Sequence, residues 1–403
     1  DSGTVYRDDD AGIWRIVESL EAIEIPDNLQ GLITSRMDRL HPEARRAAQM
    51  ASVIGRNFQR SVLEAVWDSE TSLDSHLSTL QRAGLIVETA RIPDREFAFH
   101  HELTRDAAYS SVLRRRRRQF HRGVGNAIEN LLSDRTEEQA HRLAYHFGEA
   151  MDNERAMKYS IIAGDRAQRV YANNEAADHY IRAIQLAKTL EVSSDTLIHL
   201  CDNNVIALQE AGRFEELVEY CKAFEAIALE QGNPALELAA LIPQASAHST
   251  FTSVQDQKKG ADISLRALEL ARSVDNPRAE SKALWLLLLL NSYGGSEFEK
   301  AIEYGQQSLS IAREHGFIEE EAYTLNDLGR AYHEIGDMEH AIQVLLEARE
   351  LWVQLDNKPM LIDNHIATSM TYYESGKLDS GLEIVNAAIE ISEEIGNLMG
   401  HSG

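Results

Sequence analysis

The stretch Asn326-Asp-Leu-Gly-Arg-Ala-Tyr-His-Glu-Ile-Gly-Asp-Met-Glu-His-Ala-Ile342 decides the fold. Its apolar and small residues fall at helical spacing on both sides of Gly336-Asp337, so it reads as the end of one helix, a tight turn and the start of a second. Gly336 permits a positive φ at that turn. Gly329 and Ala341 are small enough to let the two helices approach, and Leu328, Tyr332 and Leu345 fill the space between them. The second-helix signature Ala341/Leu345/Ala348 recurs at Ala176/Tyr180/Ala183, Ala301/Gly305/Ser308 and Gly381/Val385/Ala388. Degenerate copies stand at Leu217/Cys221 and Gly260/Ser264. The first anchors, 176, 217, 260, 301, 341 and 381, are 41, 43, 41, 40 and 40 residues apart. Turn signals separate the copies at Ala211-Gly212-Arg213, Asn276-Pro277, Gly294-Gly295, Gly336-Asp337 and Gly376-Lys377. A fixed period of this size marks stacked units, each burying its apolar face on the next.

The spacing resembles the tetratricopeptide consensus, lengthened by about a turn and a half of helix beyond the usual ~34 residues. The expected fold is all-α with one small β-hairpin wing: a winged-helix module followed by a right-handed α-α superhelix. About six pairs are expected over residues 136–403. The chain opens without an initiator Met, and Gly396-Asn-Leu-Met399 offers no polar cap, so a longer parent protein with further repeats is expected.

Composition narrows the class. Of 403 residues, 43% are hydrophobic and 26% charged, the balance of a folded protein, and only 7 are proline, which favours helix. A formal charge of −25 repels nucleic acid and anionic membranes. Cys201 and Cys221 are too few for a disulfide framework and read as small buried hydrophobes in a reducing compartment. The longest apolar run, Leu284 to Leu290, is far short of the ~20 residues of a membrane span. A cytoplasmic protein without membrane contact is expected.

The front third reads differently. Residues 1–25 are expected to be the tail of a preceding domain or a linker segment, and 26–120 to form the winged-helix-like module. Ile25-Pro26-Asp27-Asn28-Leu29-Gln30 has the look of a capping box, with Leu29, Ile33, Met37 and Leu40 as one apolar face. Pro42 opens a helix through Ala51 and Ile54, followed by helices over Gln59–Trp67 and Leu73–Ala83. Gly84 to Phe99 reads as two strands around Pro93-Asp94. Helix resumes from Leu103 to Ile128, with a break near the arginines, and 121–135 forms a connecting helix.

Ile25 to Leu32, Arg36-Met-Asp-Arg-Leu40, Ala51-Ser-Val-Ile-Gly-Arg-Asn-Phe58, Phe97 to Tyr109 and Leu113 to His121 together resemble the region after the ATPase core in STAND-type, AAA-like signalling ATPases. These bacterial regulators occur with class III adenylate cyclases and LuxR-type proteins, and a tetratricopeptide array follows there too. The resemblance implies the non-catalytic, sensor-and-scaffold part of such an ATPase. The ATPase motifs would precede Asp1, and no Gly-x4-Gly-Lys-Ser/Thr is present: Gly376-Lys377 has Thr371 at the first glycine's place. No cofactor is expected in this chain, and ATP or ADP is expected in the parent. By the same resemblance His101, opening the helix after the wing, matches a histidine that contacts ADP phosphates; packing at the strand–helix junction is its other reading. Phosphate at a helix N-terminus is physically sound.

Other constellations are weaker. His101-Glu102-Leu103-Thr104-Arg105 nearly spells a zinc-peptidase motif, but Arg105 stands where the second histidine belongs. Arg114, Arg115, Arg116, Arg117 and Arg118 cannot share one helix face. They suit docking to an acidic surface, such as the ATPase core of the same polypeptide, better than nucleic acid, with a solvated run as the bland reading. The would-be recognition helix, Ser72 to Arg82, has one Arg, no Lys and Asp74, poor equipment for phosphate contacts. No catalytic triad or nucleophile elbow is present. The four tryptophans, Trp14, Trp67, Trp285 and Trp352, read as core fillers.

The concave groove of the array is therefore the expected site, taking a protein, a peptide or a small inducer. Counting register from Gly329 places Tyr323, Asn326, Arg330 and His333 on it, with Leu286, Leu290 and Tyr293 in the repeat before and Ile366, Met370 and Tyr373 in the repeat after. Aromatic residues and Arg are the usual binding anchors. The rival readings are a stand-alone scaffold without an ATPase, and an enzyme with an unrecognised site in the groove.

Overall fold

A computed structural model describes residues 5–8, 13–16, 35–92, 94–294 and 297–395. The chain divides into two compact units, Asp1–Ala163 and Gly164–Gly403. The capping-box segment at 25–30, Pro93, Gly295 and the stretch Gly396–Met399 lie outside the described residues.

In the first unit, β1 (Val5–Asp8) and β2 (Ile13–Ile16) pair antiparallel, within the segment read from sequence as a domain tail or linker. Helix α1 (Pro42–Ile54) starts as expected: Pro42 needs no N–H in the first turn, and the His41 side chain accepts from the Glu43 amide. Half of its buried residues are alanine, Ala44, Ala47, Ala48 and Ala51, which lets neighbours approach closely.

The order that follows is β3 (Asn57–Gln59), α2 (Arg60–Val66), α3 (Leu73–Arg82), β4 (Ile86–Ala90) and β5 (Glu96–Phe99). The three strands form one antiparallel sheet with β5 in the centre. The sequence reading gave two strands and began the helix at Gln59. The structure corrects both: Asn57–Gln59 pairs with β5, setting Phe58 opposite Phe97, so the helix starts one residue later. Phe58, Phe97 and Phe99 are buried together, with ring centroids 5.7 and 5.8 Å apart from Phe58. Helix α4 (Glu102–Ser110) is separated from α5 (Arg114–Leu131) by Ser111–Leu113, so the break falls immediately before the arginine run. A short 3-10 turn, Ser133–Arg135, follows α5, and then α6 (Thr136–Glu149). Helix α7 (Asn153–Arg169) contains the division between the units.

The second unit is a run of antiparallel helices: α8 (Asn173–Ala187), α9 (Ser194–Glu210), α10 (Phe214–Gln231), α11 (Pro234–Ser249), α12 (Gln257–Ser273), α13 (Pro277–Gly294), α14 (Phe298–His315), α15 (Ile318–Glu334), α16 (Met338–Gln354), α17 (Lys358–Glu374) and α18 (Leu378–Ile395). From α9 on they pack as pairs, each second helix also meeting the first helix of the next pair, and first helices touch in series. This is an all-α superhelical repeat array. Each anchor found in the sequence is the fourth residue of its helix, and all six are buried.

The reason for small residues is visible at Gly329. A Cβ there would lie 2.4 Å from Leu345 Cγ, so helices α15 and α16 touch only because it is absent. At the turn between them Gly336 has φ +80°, a conformation that costs other residues energy.

Candidate functional site

The first helices α9, α11, α13 and α15 lie side by side and leave a groove of about 750 Å³. Its apolar wall includes Ile198, Val205, Ile206, Leu238, Ile242 and Leu286, and its polar groups include Asp202, Gln209, Arg278, Lys282, Glu319 and Glu320. Trp285 and Tyr323 also line it, with ring centroids 5.3 Å apart.

Pro243 shapes the groove from within α11. A proline in a helix interior has no N–H for the carbonyl four residues earlier. That carbonyl belongs to Ala239, and the buried Cys201 thiol of α9 donates to it, at 3.3 Å. Burial pushes the Cys201 thiol well up, with the Cys221 thiol reinforcing the shift, so it keeps its proton and remains a donor. Both cysteines are buried free thiols, as their positions in the sequence suggested.

The charged groups divide into satisfied and unsatisfied. Asp202 is exposed, and partial desolvation by its neighbours raises its carboxyl, against the pull of Lys282 and His199. Glu320 is 4% exposed, and neither of its carboxylate oxygens has a hydrogen-bond partner among the described residues. Arg278 Nε and Lys282 Nζ each stand 3.5 Å from it, inside ion-pair reach but outside hydrogen-bond geometry.

A polar ladder continues from the groove along the next first helices. Trp285 Nε1 donates to Asp327 at 2.8 Å, Arg330 donates to Asp363 at 2.6 Å, and Asn326 Nδ2 donates to Asp363 at 3.0 Å. Asn364 Nδ2 closes it, donating to Asn326 Oδ1 at 3.0 Å and to the Leu345 carbonyl at 2.9 Å. Burial raises Asp327 to about 6, against the nearby Arg330 guanidinium.

Of the residues expected on the groove, Tyr323 and Leu286 line the cavity. Asn326 does not face a ligand: it is 1% exposed and ties α15 to α17. Register counting placed it correctly on the helix but could not see that the next repeat covers it. Arg330 is engaged by Asp363, and His333 by Thr371 at 3.1 Å and Glu374 at 3.4 Å. Tyr293, 42% exposed, rests edge-on against Phe251, and Tyr373 is 70% exposed. Leu290 is buried between repeats and Met370 is exposed. Trp352 is buried as expected, Trp67 is half-buried, and the side chain of Trp14 lies outside the described residues. Trp285 is half-buried: it packs against the core as expected and also lines the groove. Asp202, Arg278, Lys282 and Glu320 were missed, although a carboxylate inside the apolar run from Leu197 to Leu208 is a signal that could have found Asp202.

In the first unit, His101 is the N-cap residue of α4, exposed, without a side-chain capping bond, its ring 4.5 Å from that of His100. Glu102 in the first turn faces Arg56 at 3.6 Å. The arginine run does not act as one patch. Arg117 is tucked in, donating to the Tyr109 and Val112 carbonyls at 3.1 Å over the Tyr109 ring, and Arg116 lies over Phe120. Arg114, Arg115 and Arg118 are exposed and form no ion pair among the described residues. Tyr109 is held by His121 at 3.0 Å, and His121 Nδ1 lies 3.0 Å from His146 Nδ1. On the helix after β3, Arg60 binds Asp74 of α3 at 2.8 Å, so the one acid in that helix's first turn is already paired.

No protein-family model matches the chain, and no curated protein matches it. Solved structures resemble it at low identity. One is a STAND protein with a tetratricopeptide repeat sensor from Pyrococcus horikoshii, 15% identical, matched over 90% of this chain and 59% of that one, with a TM-score of 0.39. The chain thus spans about three fifths of that protein's length. A Rap protein complexed with competence and sporulation factor is 11% identical over 93% of this chain and 95% of its own, with a TM-score of 0.45. Aspartyl phosphate phosphatase F from Bacillus subtilis is 12% identical over 91% and 95%, also with a TM-score of 0.45.

Proposed function

We propose that the repeat array is a non-catalytic binding region that holds a peptide or protein segment in the groove of α9, α11, α13 and α15. The observation that carries this is the groove itself: one continuous cavity, apolar-walled with a few convergent polar groups, crossing four successive first helices. We further infer that the chain is the sensor part of a signalling ATPase. In that reading the winged-helix-like order of the first unit relays binding to a nucleotide-binding core, with Arg114, Arg115 and Arg118 free to dock on it and His101 placed at a helix start suited to phosphate.

The test of the groove is occlusion. Random octapeptides selected on immobilised chain are rebound to Ala239→Trp and Ala235→Trp variants, which fill the cavity from its floor and rim. Loss of binding with an unchanged melting temperature supports the reading. Undiminished binding in both folded variants rejects it. His101 has its own test in a parent protein that carries the core: His101→Ala is expected to weaken ADP retention, and unchanged ADP affinity returns His101 to a structural role.

A further inference from the structure

The third helix pair breaks the regularity of the array. Its two helices, α11 and α12, are joined by seven residues, 250–256, whereas three residues around a left-handed glycine make the same connection at 211–213, 335–337 and 375–377. The extra length lies within the 43-residue step from Leu217 to Gly260, the longest of the five. Insertions in a repeat array collect on one face, often the binding face.

The inserted loop is held in one shape. Thr252 Oγ1 donates to the Ala247 carbonyl at 2.6 Å, His248 Nδ1 to the Val254 carbonyl at 2.7 Å, and the Asp256 amide to the His248 carbonyl at 3.0 Å. Held so, the loop carries Phe251 out to 79% exposure and sets its ring edge-on to Tyr293 of α13, with centroids 5.4 Å apart. A bare aromatic ring gains free energy when covered, and one already fixed in place loses little freedom on binding. Charge does not define this spot. The loop's one ionised residue, Asp256, is taken by the Lys259 amide at 3.1 Å and the Lys259 ammonium at 2.8 Å. The charges that act on Tyr293, those of Arg330, Asp327 and Asp363, are paired with one another. What the pair offers a ligand is ring surface.

The pair is continuous with the groove. Tyr293 stands seven residues after Leu286, which lines the cavity, so the two share a face of α13 about 10 Å apart. An extended peptide covers that distance in about three residues.

We propose that Phe251 and Tyr293 form an aromatic anchor beside the groove, which takes one large apolar side chain, aliphatic or aromatic, of the peptide lying there, about three residues beyond its last groove contact. This rests on the reading of the groove as a peptide site and names a residue that the peptide must carry. The experiment selects random dodecapeptides on the immobilised chain, sequences them, and measures the best on wild type, Phe251→Ala and Phe251→Leu, with melting temperatures as the folding control. The same peptide is also made with its fixed apolar residue replaced by serine. The expected result is a large apolar residue fixed near one end, a loss of about tenfold in affinity on Phe251→Ala at unchanged melting temperature, and recovery of most of it on Phe251→Leu. The serine peptide is expected to bind wild type and Phe251→Ala equally. Unchanged affinity on folded Phe251→Ala, or an equal loss for both peptides, overturns the anchor and leaves the groove standing. Peptides weakened by Phe251→Ala that bind Ala239→Trp and Ala235→Trp undiminished overturn the groove, and with it the placing of the anchor beside a groove-bound peptide.

Discussion

At the scale of single residues, the bond between Cys201 and the Ala239 carbonyl compensates a defect made by Pro243. Removing the thiol leaves a buried carbonyl unpaired, so Cys201→Ala is expected to cost about 1–3 kcal/mol. In a Pro243→Ala background the helix supplies its own N–H, and the same change should cost clearly less. Equal costs in the two backgrounds, measured by urea unfolding, would show that the thiol only fills space. The histidine pair of the first unit gives a pH signature. Burial, then the Arg117 and Arg105 charges, lowers His121 to about 4, and burial lowers His146 to about 3. Unfolded histidine titrates near 6.5, so the folded state binds fewer protons: the stability is fully present above pH 6.5 and lost as pH falls through that value toward 4. Melting of the first unit should drop between pH 7 and pH 5, by on the order of 3 kcal/mol at the lower end of the window, and His121→Gln should flatten the profile. A wild-type profile already flat over that range contradicts the burial of the pair.

At the scale of elements, the register was legible and the exposure was not. The spacing of Ala176, Leu217, Gly260, Ala301, Ala341 and Gly381 located every second helix to the residue, because close packing leaves little freedom at a helix crossing. Strand β3 escaped because three residues carry no periodicity, and its pairing with β5 is set by distant contacts. Asn326 shows the limit for the site: its sequence position is that of a groove residue, yet Asp363 and Asn364 of the next repeat close over it. Which part of a first helix stays open depends on its neighbours' side chains, information spread over some 40 residues on either side. The crossing itself is testable. Gly329→Ala forces a Cβ into Leu345 and should cost about 1–2 kcal/mol despite alanine's better helix propensity. Leu345→Ala makes room, so the glycine change should turn neutral or favourable in that background. Asp327 carries the opposite pH sign to the histidines. Its raised value of about 6 means stability is present below its unfolded value near 3.8 and lost as pH rises through 6. Asp327→Asn, which can still accept from Trp285, should raise the array's melting temperature at pH 8 and leave it unchanged at pH 4. A lower melting temperature at pH 8 would mean that Arg330 depends on that charge.

At the scale of the molecule, the two units carry different kinds of evidence. The array presents a formed cavity with a buried acid, Glu320, between two cations at its wall, whereas the first unit presents exposed arginines and a histidine at a helix start. No described helix is long and apolar enough to cross a membrane. The chain is expected to show no magnesium-dependent turnover of ATP or GTP, since no phosphate-cradling Gly-x4-Gly-Lys-Ser/Thr loop occurs in its sequence. Turnover abolished by a point substitution in this chain would refute the non-catalytic reading. The central claim is that ligand lies across α9, α11, α13 and α15. Hydrogen exchange of the chain with and without a selected octapeptide measures this directly. The account predicts slowed exchange in Ser194–Glu210, Pro234–Ser249, Pro277–Gly294 and Ile318–Glu334, with the outer helices and the first unit unchanged. Protection confined to the second helices of the pairs, or to residues before Gly164, would contradict it.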